Sequence, residues 1–393
     1  MSDFHLAIGI FSLAHIAIAG LGVGFMVLTP CAEFLGRTYS SFTQLAHSLT
    51  KFTVVTYTVS IVLAVFMLEL FIGLYPLTNS WIFNQFRIPI AIALFAFFLQ
   101  LLCLYAYYHF WDVIRAKSVS LHIFLIGFAV GFILIWVGIL DGIGSFMLTP
   151  VTEEGGWAKL MNPTWLPLVI HRFFGNLVMA GYVLAGYAAW QLGRHADSNH
   201  TPYLETMYKT GFTVGLCTLV VQPATGIIYA LKIRENQPEL SQQLLQGIPL
   251  GLVVVQVGLL AFLYWGSYVI LQHSHRSSTS PRRSLLLFSF SLIGLIACSA
   301  YPFLRQLLTM LLTMILLWKM SVTVPTLWAK PIPFLTFGRS VRYITIGLGI
   351  ASIILYLSMG TMRELSRGSD TVYGVLKEHQ EIEALPQQLH EGL

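Results

Sequence analysis

Charge is scarce in this sequence. Asp, Glu, Lys and Arg together make up 10% of 393 residues, while 56% are apolar. That balance excludes a soluble enzyme with a solvated surface and a disordered chain. Cysteine is also rare. Cys31, Cys103, Cys217 and Cys298 stand singly in apolar runs, with no CxxC and no CxxCH. This excludes a zinc ribbon, a disulfide framework and a covalently attached c-type haem. The N-terminus lacks a basic stretch and a cleavage site, so the first apolar run reads as a span and not as a signal peptide. No loop is long enough for a soluble domain, and the excess of positive charge lies in loops between apolar runs, which gives no reason to expect nucleic-acid binding.

What is present is a series of long uncharged runs. The fold expected is all-α, a polytopic transmembrane helix bundle of about ten spans. They fall near 4–31, 50–75, 86–111, 119–148, 163–191, 207–231, 246–271, 284–301, 303–322 and 340–361. Most contain 20 residues or more, enough to cross a hydrocarbon core of about 30 Å. The two that meet near Tyr301-Pro302 are tight. Residues 1–362 form one membrane domain and 363–393 a polar tail. With the N-terminus outside, thirteen Lys and Arg face the cytoplasm and eight the outside, the expected direction of bias. The location expected is a bacterial or archaeal cytoplasmic (inner) membrane, multi-pass, with the lipid bilayer as solvent.

Ionisable side chains inside such spans are costly and mark candidate sites. His15 lies midway along the first span, followed by Gly20, Gly22 and Gly24. His171 and Arg172 lie about two turns into the fifth, followed by Gly175, Ala180, Gly181, Ala185 and Gly186. Small residues let another helix or a flat cofactor come close. An imidazole can ligate haem iron and a guanidinium can hold a propionate. Glu69 and Asp141, near outer span ends, form a possible proton or polar site. Glu364 and Arg367 follow the last span. In this topology His15, His171 and Glu364 share the outer half. Met310 and Met314, one turn apart, offer a thioether ligand or plain core filling. Each histidine could equally be a hydrogen-bonding residue between helices, and His109 and His122 flank a loop and read as interfacial.

Several short patches in common order resemble the large, haem-carrying subunit I of cytochrome bd quinol oxidases. Leu13-Ala14-His15-Ile16 is similar to the stretch with that family's first haem-ligating histidine. Leu68-Glu69-Leu70-Phe71-Ile72-Gly73 resembles its Glu-Phe-Gln-Phe-Gly, and Ser145-Phe146-Met147-Leu148-Thr149-Pro150 its Ser-Phe-Met-Gln-Thr-Pro. Ile170-His171 and the track to Ala189-Trp190 are similar to the helix of the low-spin haem histidine. Gly360-Thr361-Met362-Arg363-Glu364-Leu365-Ser366-Arg367 resembles the stretch with its glutamate ligand and Gly-Arg-Gln-Pro-Trp signature. The resemblance implies His15, His171 and Glu364 as iron ligands, Met310 as the best candidate for the second ligand beside His171, and Arg172 and Arg367 at propionates.

The departures bear on function. Ala93 and Gln100 stand where the family carries two buried glutamates of its proton route. Gln237-Pro238 is followed by Leu240 and Leu245 in place of the quinol-loop Lys and Glu, and Arg367-Gly368-Ser369-Asp370 lacks Gln-Pro-Trp. The function expected is therefore a haem b membrane subunit (one to three haems, with haem d less favoured) of a respiratory complex. It would pass electrons between the quinone pool and a periplasmic cytochrome c or redox subunit, beside a second membrane subunit. Two alternatives stay open: a divergent quinol:oxygen oxidase, and a haem-free structural or ion-translocating subunit.

Overall fold

The computed structural model describes residues 3–152, 155–194, 201–243, 245–274, 281–329, 339–366, 370–372 and 376–377. The chain forms helices α1 (Asp3–Leu35), α2 (Ser40–Leu74), α3 (Pro76–His109), α4 (Trp111–Lys117), α5 (Val119–Phe146), α6 (Gly156–Leu160) and α7 (Trp165–Leu192). These are followed by α8 (Thr201–Asn236), α9 (Pro238–Gln243), α10 (Gly247–Ser274), α11 (Pro281–Ala297), α12 (Pro302–Ala329) and α13 (Arg339–Ser366). A short antiparallel ribbon, β1 (Asp370–Val372) with β2 (Leu376–Lys377), lies in the polar tail. Apolar segments of this length become helices because a bilayer offers no partner for backbone N–H and C=O groups. Prolines sit at the first position of α3, α9, α11 and α12, where a missing N–H costs least.

Among the described residues, nine helices are long and apolar enough to span a membrane. The expectation of ten needs one correction. The eighth, α11, has 17 residues, or about 26 Å at 1.5 Å per residue, short of the ~30 Å core. Several other spans run past their expected ends. α1 continues through Pro30 to Leu35, α2 starts ten residues earlier, at Ser40, and α3 begins at Pro76 with a kink at Phe86 (φ −114°, ψ 22°). Pro89 accounts for the kink, since it removes the N–H that would bond the Gln85 carbonyl. The short helix α6 docks there. A Cβ on Gly156 would stand 2.5 Å from the Gln85 carbonyl oxygen, and Lys159 bonds the Gln85 side chain.

The long helices alternate in direction. α1 begins and α13 ends at one end of the bundle, called the near end below; the α1–α2 turn lies at the far end. α7 is the central helix, packed against α8, α1, α13 and α5. Its small residues are what allow this. A Cβ on Gly181 would lie 2.4 Å from the Gly215 nitrogen of α8, and one on Gly24 of α1 would lie 2.4 Å from Ala180 Cβ. Gly186 faces the backbone of α13 at Thr345 and Ile346. The glycine-alanine track of α7 is thus filled by neighbouring helices along most of its length, as in close-packed membrane bundles. Large apolar side chains such as Phe95, Phe98, Leu102, Phe290 and Phe303 point outward, as lipid-facing residues do.

Candidate functional site

The near half of the bundle gathers most of the polar groups singled out in the sequence. His15 on α1 is half-buried, and its Nδ1 lies 2.9 Å from the carbonyl oxygen of Ser60 on α2. A carbonyl only accepts, so this bond puts the proton on Nδ1, and the Ser60 hydroxyl, 3.1 Å from the same nitrogen, can share it as a second acceptor. Nε2 is then the bare nitrogen, and no group among the described residues bonds it. His171 on α7 faces α8. Its Nδ1 lies 3.2 Å from Thr225 Oγ1, and that hydroxyl gives its one proton to the Gln222 carbonyl at 2.9 Å. Thr225 Oγ1 must therefore accept from His171 Nδ1–H. Nε2 is then unprotonated, and it accepts a long hydrogen bond from the Gln222 side-chain amide at 3.4 Å.

Arg172 pairs with Asp141 of α5, which is 3% exposed. The guanidinium also lies beside Tyr356 of α13 and close enough to His15 for its charge to act there. The Tyr356 hydroxyl donates to Asn176 Oδ1 at 2.9 Å. Gly20 of α1 makes room for this meeting. A Cβ there would fall 2.7 Å from both the Asn176 and the Tyr356 oxygens. α1, α5, α7 and α13 thus converge on one buried polar cluster.

A hydrogen-bonded knot holds α5 and α7 in register for it. Asn162 Nδ2 reaches Ser145 Oγ at 3.0 Å and the Leu160 and Gly142 carbonyls at 3.1 and 3.2 Å. Its Oδ1 accepts from Thr164 Oγ1 at 3.0 Å and Thr149 Oγ1 at 3.2 Å. Trp165 Nε1 donates to the Gly138 carbonyl at 2.8 Å. The Ser145–Pro150 patch therefore serves to fix the end of α5 against the start of α7.

The other predicted positions are not gathered there. Glu69 is exposed on α2. Met310 is 36% exposed and Met314 65% exposed, on a helix that packs chiefly on α8, α10 and α11, so the packing does not bring Met310 to α7. Glu364 belongs to the last turn of α13, and Arg367 lies outside the described residues.

One cluster went unnoticed in the sequence. Glu33, near the far end of α1, is fully buried. Its carboxylate accepts from Arg115 Nε at 2.8 Å, from His122 Nδ1 at 3.2 Å and from Tyr107 Oη at 3.4 Å. Arg115 also bonds Thr43 Oγ1 at 3.0 Å. His122, in the first turn of α5, is 0% exposed and stacks on Tyr107 with ring centroids 4.0 Å apart. The signal was spacing: Glu33 falls 18 residues after His15, five helical turns along the same face. The expected first span ends at residue 31, which left Glu33 just outside it. Beside this cluster a cavity of about 340 Å³ is lined by His47, Lys51, Tyr108, His109, Trp111 and Asp112.

Residues 4–241 match the sequence profile of the family described as cytochrome bd terminal oxidase subunit I. The chain belongs to that family. A curated relative, cytochrome bd ubiquinol oxidase subunit 1 of Bacillus subtilis (strain 168), is 27% identical over 170 residues. That match takes in 41% of this chain and about a third of the relative's length (35%). The bd oxidase structure from Geobacillus thermodenitrificans superposes with a TM-score of 0.53 at 17% identity, covering 93% of this chain and 98% of the other. At that identity it establishes the fold, an all-helical membrane bundle of the bd oxidase kind. Members of the family bind haem, and the two histidines fit such a group by their donor chemistry. Each ties Nδ1–H to an acceptor, the arrangement usual for metal-ligating imidazoles, and keeps an unprotonated Nε2, which on His171 is met by the Gln222 amide.

Proposed function

We propose that this chain is a haem b-binding membrane subunit of a respiratory redox complex, handling electrons of the quinone pool. The observation that carries the reading is the shared state of His15 and His171. Both sit at the same end of the bundle and both have Nδ1–H bonded and Nε2 unprotonated; on His171 the Gln222 amide, 3.4 Å from Nε2, would turn aside for iron to bind there. Haem would supply the one-electron chemistry; this chain's residues would bind and orient it. In this reading His15, His171 and Glu364 are the iron ligands, and Arg172 and Arg367 stand at propionates. Arg172 would then share its guanidinium between a propionate and Asp141. The packing of α12 gives Met310 no support as second ligand, so the partner of His171 is left open.

The structure also bears on proton delivery. Ala93 is 5% exposed and Gln100 is 0% exposed, and the Gln100 side chain bonds the Tyr57 hydroxyl. A neutral amide–phenol pair occupies that part of α3, and it does not exchange protons as buried carboxylates do. This favours electron transfer over complete oxygen reduction. The partners we propose are a second membrane subunit and quinol; the comparisons lend no support to a periplasmic cytochrome c. The orientation, with the N-terminus outside a prokaryotic inner membrane, is part of the proposal. The relative from Bacillus subtilis favours a second reading, a divergent quinol:oxygen oxidase. Adding a quinol to the purified complex separates the two. Haem reduction without oxygen uptake supports the first reading, and sustained oxygen uptake supports the second. An unchanged haem spectrum in His171→Ala would overturn the ligand assignment in both.

A further inference from the structure

We infer that Thr225 is a positioning residue for His171: it fixes which ring nitrogen is bare and sets how strongly that nitrogen donates electrons. The inference rests on the reading of His171 as an iron ligand. A threonine hydroxyl in a helix normally returns its proton to a carbonyl of the preceding turn, and Thr225 does so to Gln222 at 2.9 Å. What is particular here is the other side of that oxygen. Its lone pairs face an imidazole nitrogen of a different helix at 3.2 Å. With its proton already committed, the hydroxyl can act toward His171 only as an acceptor.

Neighbouring residues of α8 complete the arrangement. The Gln222 side-chain amide donates to the His171 carbonyl at 3.1 Å and to the unprotonated Nε2 at 3.4 Å. The Gln222 side-chain oxygen is buried with no hydrogen-bond partner, so the amide presents its N–H side to His171 and leaves its own acceptor unmet. Gly226 admits the ring edge, since a Cβ there would stand 3.0 Å from His171 Cε1. Tyr229 lies nearly parallel to the imidazole, with centroids 6.1 Å apart and planes 22° apart. About two turns of α8 thus hold the ring and its tautomer. An imidazole that donates through Nδ1 is the more basic at Nε2, and a stronger donor favours the oxidised metal.

The test is a redox titration of the purified complex carrying Thr225→Val, which keeps the shape and removes the hydroxyl. Loss of such an outer partner lowers affinity about 10- to 100-fold. A tenfold loss confined to the oxidised form raises the midpoint potential of the His171 haem by about 59 mV. The expected result is a raised potential with reduced haem content at that site, restored by Thr225→Ser. If the valine variant does not accumulate, Thr225→Ala, which adds no bulk, gives the same reading. Wild-type potential and haem content in the hydroxyl-less variant would overturn the role of Thr225. His171→Ala is measured alongside. If it loses the haem while Thr225→Val is unaffected, only this inference fails. If it keeps the full spectrum, the ligand reading fails with it.

Discussion

Replacing Glu33 with alanine should destabilise the protein without touching the near-end site. The carboxylate is fully buried and accepts bonds from residues of three other helices: Arg115 on α4, His122 on α5 and Tyr107 on α3. Removing it orphans the Nδ1–H of a histidine that is 0% exposed and leaves a cation that is 28% exposed. Breaking a buried pair by deleting one partner costs about 3–5 kcal/mol. The Tyr107 bond is long, and Arg115 keeps Thr43 and some solvent, so the lower figure of about 3 kcal/mol applies. Scaled by an unfolding entropy of about 2.1 cal/mol/K per residue, which is near 0.8 kcal/mol/K for this length, the midpoint should fall by about 4 °C. Thermal unfolding in detergent, followed by circular dichroism, measures it. The haem-linked spectrum of the folded variant should match wild type. A shift below about 1 °C would show that Glu33 is not the tie between these helices.

Other expectations follow from the same packing. Gly181→Leu should abolish accumulation of folded protein in membranes, because even a Cβ there meets the Gly215 backbone at 2.4 Å; normal yield would contradict the α7–α8 contact. Asp141→Asn should cost about 2–3 kcal/mol, since Arg172 is 24% exposed and retains Tyr356; a denaturation midpoint equal to wild type would deny the pair. Asn162→Ala should cost about 2 kcal/mol by leaving the buried Ser145 and Thr164 hydroxyls short of partners, read in the same unfolding assay.

How far the sequence could be read depended on whether a feature was local. The helices were legible because apolar runs of 20 or more residues have one solution in a bilayer. His15 and His171 were legible because an imidazole amid apolar residues stands out. The Asp141–Arg172 pair was visible only as two separate residues, because pairing them requires knowing that α5 and α7 are pinned through Asn162. Glu33 lay outside the expected first span, which ended at residue 31 where the apolar run stops, whereas the helix continues to Leu35. Thr225 and Gln222 carry no signal of their own. They matter only because Gly226 and Gly175 bring α8 against the face of α7 that carries His171. Met310 was chosen by sequence distance alone, and distance along the chain does not say which face of α12 meets the bundle.

The most direct test of the account is a reduced-minus-oxidised absorption spectrum of the purified protein, with pigment extraction, for the wild type and for His15→Ala and His171→Ala. The account predicts haem b in the wild type and loss of a distinct portion of it in each variant. A colourless wild-type protein, or variants with the full haem spectrum, would contradict it.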